Sequence, residues 1–179
     1  PKMDLDESKT YYKKISEIGK YLEGEGMPLA YHHHMGTVIE SQKDTEMLLE
    51  NTNDSVKLTL DTGHMLFAQG DSAKILEDFN ERVIHIHCKD IRKNVLKKSL
   101  EEDLSFRAAF LEGAFTVPGD GCIDYKPLFD LLKKNSYSGW LVVEAEQDPK
   151  KANPFEYAKI GYKYLTETLS KANIKVLQS

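Results

Sequence analysis

Residues 83–90 read Val-Ile-His-Ile-His-Cys-Lys-Asp, and this stretch constrains the fold more than any other part of the sequence. Its apolar residues and histidines alternate with a period of two, which predicts a β-strand that carries His85 and His87 on one face. The strand becomes polar only at its carboxyl end, at Lys89 and Asp90. The chain therefore needs a fold in which the carboxyl end of a buried strand can present functional side chains.

Three more segments, residues 29–34, 56–61 and 140–146, are apolar strands that turn polar at their carboxyl ends. Apolar spacing near 3.6 residues predicts helices between and around the strands, at about residues 4–23, 41–51, 72–80, 125–135 and 153–171. Residues 91–112 read as irregular helix, residues 62–71 as a polar loop, and residues 115–121 as a loop too rich in Gly and Pro to be helix or strand.

Strands that alternate with helices imply parallel βα units and an α/β fold. The sequence has no glycine fingerprint for dinucleotides and no phosphate-binding lysine motif, so a nucleotide-binding doubly wound sheet is disfavoured. We predict a partial (β/α)8 barrel of about four βα units, with residues 1–179 forming one domain. A complete barrel of this type needs about 250 residues.

Composition excludes several classes of function. The net charge is −5, with 24 Lys and Arg residues against 29 Asp and Glu residues, which argues against nucleic-acid binding. No apolar run reaches the roughly 20 residues of a membrane span, and the amino terminus lacks the pattern of a signal peptide. Two cysteines are too few for a disulfide framework. These features predict a cytoplasmic protein that acts on a small molecule.

The polar strand ends supply imidazole and carboxylate groups without cysteine, a donor set that suits Mn, Co, Fe or Zn in a catalytic site. Asp61, His87 and Glu144 each end a different strand, and a barrel would bring them to one ion. His32 and His34 share a face, so either could be the fourth ligand. A single aspartate at a strand end is more often a helix cap, and a single histidine is more often a core residue, but four such endings favour a metal site.

The other histidines and the cysteines receive simpler interpretations. His33 points to the opposite face and is predicted to be structural. His85 lies two residues deeper in its strand than His87 and could be a ligand, a residue that supports the site, or part of the core. Cys88 alternates away from the site and reads as a small buried hydrophobe. Cys122 lies in the Gly-rich loop without a partner that would make it a nucleophile.

These residues carry a resemblance to a known family. Residues 60–64 (Leu-Asp-Thr-Gly-His), 87–90 and 118–121 (Pro-Gly-Asp-Gly), together with Glu144, are similar to the signature of the xylose-isomerase-like barrel superfamily. Within it, residues 31–37 and 139–149 resemble the myo-inosose-2 dehydratases of inositol catabolism. The resemblance runs from His32 to the final helix, but it covers only the carboxyl-terminal portion of that enzyme family.

The resemblance implies a hydro-lyase that dehydrates 2-keto-myo-inositol, a cyclic polyol ketone, with Mn²⁺ or Co²⁺ and with glutathione as a supporting cofactor. Carried over by position, it implies that Asp61, His87 and Glu144 are metal ligands and that His64 faces the substrate. Most sugar isomerases and epimerases of the superfamily have Glu where this chain has His32, so the fourth ligand stays open between His32 and His34.

The implied elimination proceeds through an enediolate that a divalent ion stabilises. The sequence leaves three candidates for proton transfer, His64, Lys89 and Glu146, and we favour His64 as the base because it follows Asp61 directly. His34 and His64 are the candidate substrate contacts. A sugar isomerase or epimerase of the same superfamily is the alternative enzyme, and an inactive fragment or binding module is the alternative from another class.

A half-barrel would leave unpaired strand edges beside His32 and Glu144, and such edges invite pairing with other chains. We therefore expect that the chain is a fragment of a longer protein, or that copies of it associate as a homo-oligomer. On its own, it is expected to aggregate or dimerise and to be weak or inactive as a catalyst.

Overall fold

The computed structural model describes residues 1–177, and contacts divide the chain into two compact units, Pro1–Ile86 and the part that begins at His87. The first unit contains, in order, α1 (Leu5–Gly24), β1 (Leu29–His32), α2 (Gln42–Asn51), β2 (Val56–Asp61), α3 (Thr62–Phe67), α4 (Ser72–Asp78), a 3-10 turn (Asn80–Arg82) and the first four residues of β3 (Val83–Cys88).

The strands of the first unit lie in the order β1, β2, β3. β1 and β2 are parallel, with Leu29 opposite Val56 and His32 opposite Thr59. β2 is the central strand, and its apolar side chains are completely buried. This pairing brings the carboxyl ends of β1 and β2 to the same edge of the sheet, as the sequence predicts.

Side-chain caps explain where the helices of the first unit begin. Asp4 and Ser41 each accept hydrogen bonds from the first turn of α1 and α2, and an acidic residue three positions later bonds back to the cap. Asp71 accepts from Ala73 and Lys74 and caps α4, which confirms the sequence prediction.

Arg82 is a buried arginine that ties β2 to the end of α2. Its guanidinium group donates four hydrogen bonds of 2.8 to 3.0 Å, to the carbonyl oxygens of Val56, Leu49 and Asn53 and to the hydroxyl of Thr52. The acceptors lie at the end of α2 and the start of β2, and the Asn53 carbonyl also accepts the Val56 N–H at 3.0 Å. The arginine therefore supplies buried donors to polar groups at the point where one element ends and the next begins.

The second unit contains the end of β3, β4 (Asp90–Ile91), α5 (Lys93–Glu101), α6 (Phe106–Glu112), β5 (Phe115–Thr116), α7 (Lys126–Lys134), β6 (Trp140–Val143) and α8 (Pro154–Lys171). β6 lies beside β3, and the Glu144 N–H donates to the Cys88 carbonyl at 3.3 Å. α8 begins with Pro154 at its first turn, as predicted, and packs against β6 so closely that a Cβ on Gly161 would lie 2.5 Å from Val143 Cγ1.

The structure corrects two sequence predictions. Residues 62–67, predicted to be loop, form α3, because Asp61 caps this single turn and its residues are almost all buried. Phe115 and Thr116, predicted to be neither helix nor strand, form β5, which pairs with β4 in antiparallel register, Asp90 opposite Thr116.

The predicted α/β class with about four βα units is confirmed. That residues 1–179 form one domain stays a prediction. Among residues 1–177, none of the helices combines the length and the apolar character that crossing a membrane would require.

Candidate functional site

His32 and Asp61 form a pair at the carboxyl ends of β1 and β2. His32 Nε2 lies 3.5 Å from Asp61 Oδ2, and the Asp61 side chain is completely buried while the His32 ring is partly exposed. One imidazole nitrogen and one carboxylate oxygen thus meet at the edge where the sequence predicts a metal site. The donor types of this pair suit a divalent ion such as Mn²⁺, Co²⁺ or Zn²⁺.

The two oxygens of Asp61 have different partners. Oδ1 accepts the His64 N–H at 2.8 Å and caps α3, whereas Oδ2 faces His32. The Asp61 backbone N–H donates to His33 Nε2 at 3.1 Å. Burial lowers the pKa of His33 to about 3, so this ring stays neutral and acts as an acceptor within the core. This contact agrees with the structural role predicted for His33.

His34 and His64 lie against each other in the first unit, with ring centroids 3.7 Å apart. His34 Nδ1 donates to the Met35 carbonyl at 2.7 Å, and the Met35 N–H points at His64 Nδ1 at 3.5 Å. The His32 ring is 5.5 Å from that of His34 and 5.7 Å from that of His64. The structure therefore brings the three predicted histidines of this unit together, and it links two of them directly to the Met35 backbone.

His87, Lys89, Glu144 and Glu146 form a charged cluster in the second unit. His87 Nδ1 lies 2.7 Å from Glu144 Oε2. Lys89 Nζ lies 3.3 Å from the same oxygen and 2.8 Å from Glu146 Oε2. The Lys89 side chain is completely buried, and the two carboxylates provide opposite charge beside its ammonium group. This cluster contains the predicted ligands His87 and Glu144 and the predicted proton-transfer groups Lys89 and Glu146.

Sequence reasoning missed two residues that surround Lys89. The Tyr125 hydroxyl donates to the Lys89 carbonyl at 3.0 Å, and the Phe115 ring centroid lies 5.5 Å from Lys89 Nζ. Both aromatic side chains are completely buried. No local pattern marks them, since each lies more than twenty residues from Lys89 in sequence and reads as an ordinary core residue.

The chain is similar to known proteins over most of its length. The family model described as xylose isomerase-like TIM barrel matches residues 3–168. An inosose dehydratase of Clostridium beijerinckii is 46% identical over 154 residues, which cover 86% of this chain and 52% of the relative. The rhizopine catabolism protein MocC of Rhizobium meliloti is 41% identical over 98% of this chain and 54% of the relative. The chain thus spans about half the length of the curated relatives it matches.

Among solved structures, the IOLI protein with a bound zinc atom has a TM-score of 0.71 at 20% sequence identity. The match covers 96% of this chain and 60% of that protein. At this identity the likeness concerns the fold.

Proposed function

The chain belongs to the xylose isomerase-like TIM barrel family, and on that premise we propose that it is part of a divalent-metal-dependent hydro-lyase that dehydrates 2-keto-myo-inositol. The observation that carries this proposal is the similarity to a curated inosose dehydratase over most of the chain. The two residue clusters contain the metal-ligand types and proton-transfer groups that such an elimination needs.

We propose His32, Asp61, His87 and Glu144 as the metal ligands. His32 is favoured over His34 because its Nε2 lies near Asp61 Oδ2, whereas His34 Nδ1 is held by the Met35 carbonyl. The ion, proposed to be Mn²⁺ or Co²⁺, would act as a Lewis acid toward the ketone oxygen.

The remaining polar groups would bind the substrate and move protons. His64 would take the proton from the carbon next to the ketone, and His34 would contact the substrate hydroxyls beside it. Lys89, which already donates to Glu146, would protonate the departing hydroxyl so that it leaves as water. Glutathione as a supporting cofactor, a cytoplasmic location and assembly with further copies of the chain belong to the same proposal.

A chimera tests the function directly. The chain would replace the matching half of the Clostridium beijerinckii inosose dehydratase, so that the other half comes from a curated enzyme. With 2-keto-myo-inositol and Mn²⁺, the chimera is expected to produce the ultraviolet-absorbing dione. The matched control is the same chimera with Glu144→Gln, which is expected to lose the activity while keeping the fold.

The products distinguish the alternatives. A chimera that rearranges the ketone without releasing water would indicate an isomerase or epimerase. A chimera that folds as well as the parent relative, binds Mn²⁺ and leaves the substrate unchanged would contradict the proposed enzyme and favour a binding role.

A pair of neighbouring substitutions tests the ligand assignment on β3. His87→Gln is expected to weaken Mn²⁺ binding by at least about tenfold, because an imidazole ligand is lost. Cys88→Ala is expected to leave Mn²⁺ binding unchanged, because Cys88 is buried on the other face of the strand. Isothermal titration of both variants measures the difference, and equal losses would mean that His87 is not a ligand.

A further inference from the structure

The buried carboxylate of Asp90 accepts hydrogen bonds from four backbone N–H groups. Oδ1 accepts from Ile91 at 2.7 Å and from Cys122 and Ile123 at 2.9 Å each. Oδ2 accepts from Gly119 at 3.3 Å. Three of these donors belong to the Gly-rich loop, residues 117–123, so one side chain satisfies much of the backbone of that loop.

The glycines of this loop leave room for the carboxylate. A Cβ on Gly121 would lie 2.1 Å from Asp90 Oδ1 and 2.7 Å from the Ile91 carbonyl, closer than atoms can approach. Gly119 has a positive φ of 88°, and its Cβ would meet the Tyr164 ring at 2.7 Å. The backbone of the loop therefore passes close to its neighbours, including Asp90, and this close approach explains the Gly-rich sequence.

The two ends of the loop lead to the two aromatic residues that contact Lys89. Phe115 lies two residues before the loop, and its ring faces Lys89 Nζ. Tyr125 lies two residues after it, and its hydroxyl donates to the Lys89 carbonyl. A change in the path of the loop would move both contacts at once.

We propose that Asp90 is a positioning residue: its carboxylate fastens the 117–123 loop, and through Phe115 and Tyr125 the loop holds Lys89 against Glu144 and Glu146. A lysine side chain has high rotamer entropy and no fixed direction for its ammonium group. The buried Phe115 ring beside Nζ and the Tyr125 bond to the Lys89 carbonyl restrict this freedom before substrate arrives. The catalytic value of this arrangement rests on the proposed function, in which Lys89 donates a proton, but the arrangement itself can be tested without the reaction.

Cys122 serves as a reporter of the loop. Its N–H is shared between Asp90 Oδ1 and the Ile91 carbonyl, each at 2.9 Å, and its side chain is exposed, whereas Cys88 is buried. Burial and the Asp90 charge raise the pKa of the Cys122 thiol. Asp90→Asn removes the charge and turns an amide N–H₂ toward backbone donors, so the loop should loosen. The alkylation rate of Cys122 by iodoacetamide is measured across a pH range, so that the rate of the thiolate itself is separated from the change in its pKa. That thiolate rate is expected to rise at least about threefold, because access to the side chain increases.

Lys89 is followed in the same samples by acetylation with acetic anhydride and mass spectrometry. In the unmodified 179-residue chain the buried Lys89 is expected to stay unlabelled while exposed lysines react. Asp90→Asn is expected to expose Lys89 to labelling at least about fivefold faster, with far-ultraviolet dichroism unchanged. Tyr125→Phe removes the hydroxyl that donates to the Lys89 carbonyl, so it is expected to speed Lys89 labelling without changing the Cys122 rate.

Two control variants accompany these measurements. Cys122→Ser gives the background from Cys88. Asp71→Ala loses a helix cap in the other unit, so it supplies a general loss of stability that should move neither Cys122 nor Lys89. An unchanged Cys122 rate in Asp90→Asn would overturn the role of Asp90 in the loop. Unchanged Lys89 labelling in both Asp90→Asn and Tyr125→Phe would overturn the link to Lys89.

If Asp90→Asn does not fold, Tyr125→Phe decides the link: faster Lys89 labelling supports it, and an unchanged rate refutes it. None of these readouts needs the metal or the substrate. An inactive chimera in the dehydratase assay would therefore count against the proposed function alone and leave the positioning role of Asp90 to be judged separately.

Discussion

Asp61→Ala and Glu144→Ala are each expected to lower Mn²⁺ affinity by more than about 100-fold, because changes that only support a ligand already cost 10- to 100-fold. Asp61→Ala removes the carboxylate beside His32, and Glu144→Ala removes the one beside His87. Metal content by mass spectrometry after dialysis measures the loss. Unchanged content in both variants would mean that these carboxylates are not ligands.

Asp61→Asn separates metal binding from folding at this position. The amide oxygen of Asn can still accept the His64 N–H and cap α3, whereas Asp61→Ala also loses the cap, at a cost of about 1 kcal/mol. We therefore expect both variants to lose metal and only Asp61→Ala to lose stability without metal. For Glu144, Gln is the matched variant, and Lys89 keeps its bond to Glu146 in both Glu144 substitutions.

Arg82→Leu is expected to lower the free energy of unfolding by about 3 kcal/mol or more. The substitution leaves the carbonyls of Leu49, Val56 and Asn53 without their side-chain donor in a buried region. An unsatisfied buried polar group costs about 1 to 3 kcal/mol, and water that enters the site would recover part of the loss. Urea unfolding followed by far-ultraviolet dichroism gives the difference.

Arg107→Leu is the matched control for Arg82→Leu. Arg107 is an exposed arginine in α6, and its substitution is expected to change the free energy of unfolding by no more than about 0.5 kcal/mol. A comparable loss of unfolding free energy in the two variants would show that the buried hydrogen bonds of Arg82 do not account for its contribution to stability.

The strands were predictable because their pattern is local. Alternation of apolar residues located β2 and β3, and the polar residues at their carboxyl ends indicated a site. The Asp71 cap and the start of α8 at Pro154 were also predictable, because both signals lie within one helical turn.

α3 was missed because six residues are too few to show helical periodicity, and Gly63 reads as a turn signal. What holds this turn is the Asp61 cap and burial of its side chains, and burial depends on parts of the chain that are distant in sequence. A helix cap is the alternative role that the sequence offers for a strand-end aspartate such as Asp61, but the metal-ligand interpretation was preferred and no helix was predicted after it.

The partners of Lys89 could not be predicted from local sequence patterns either, because they are distant from Lys89 in sequence. Lys89 follows β3 directly, so its place near the strand end was predictable, but its complete burial was not. Glu144 and Glu146 lie more than fifty residues away, and only the folded chain sets them against the ammonium group. The sequence likewise marks Asp90 only as a polar residue at the end of its strand, although its carboxylate binds the backbone of a loop that begins 27 residues later.

The division of work within Asp61 bears on how this position could change over evolution. One oxygen starts a helix and the other faces an imidazole, so two independent selective pressures act on a single codon. Asparagine would satisfy the first pressure and glutamate would retain only the charge that the second requires. A lineage that lost the activity could therefore acquire asparagine at this position without losing the fold. An asparagine here would then mark a relative that kept the fold after its activity was lost.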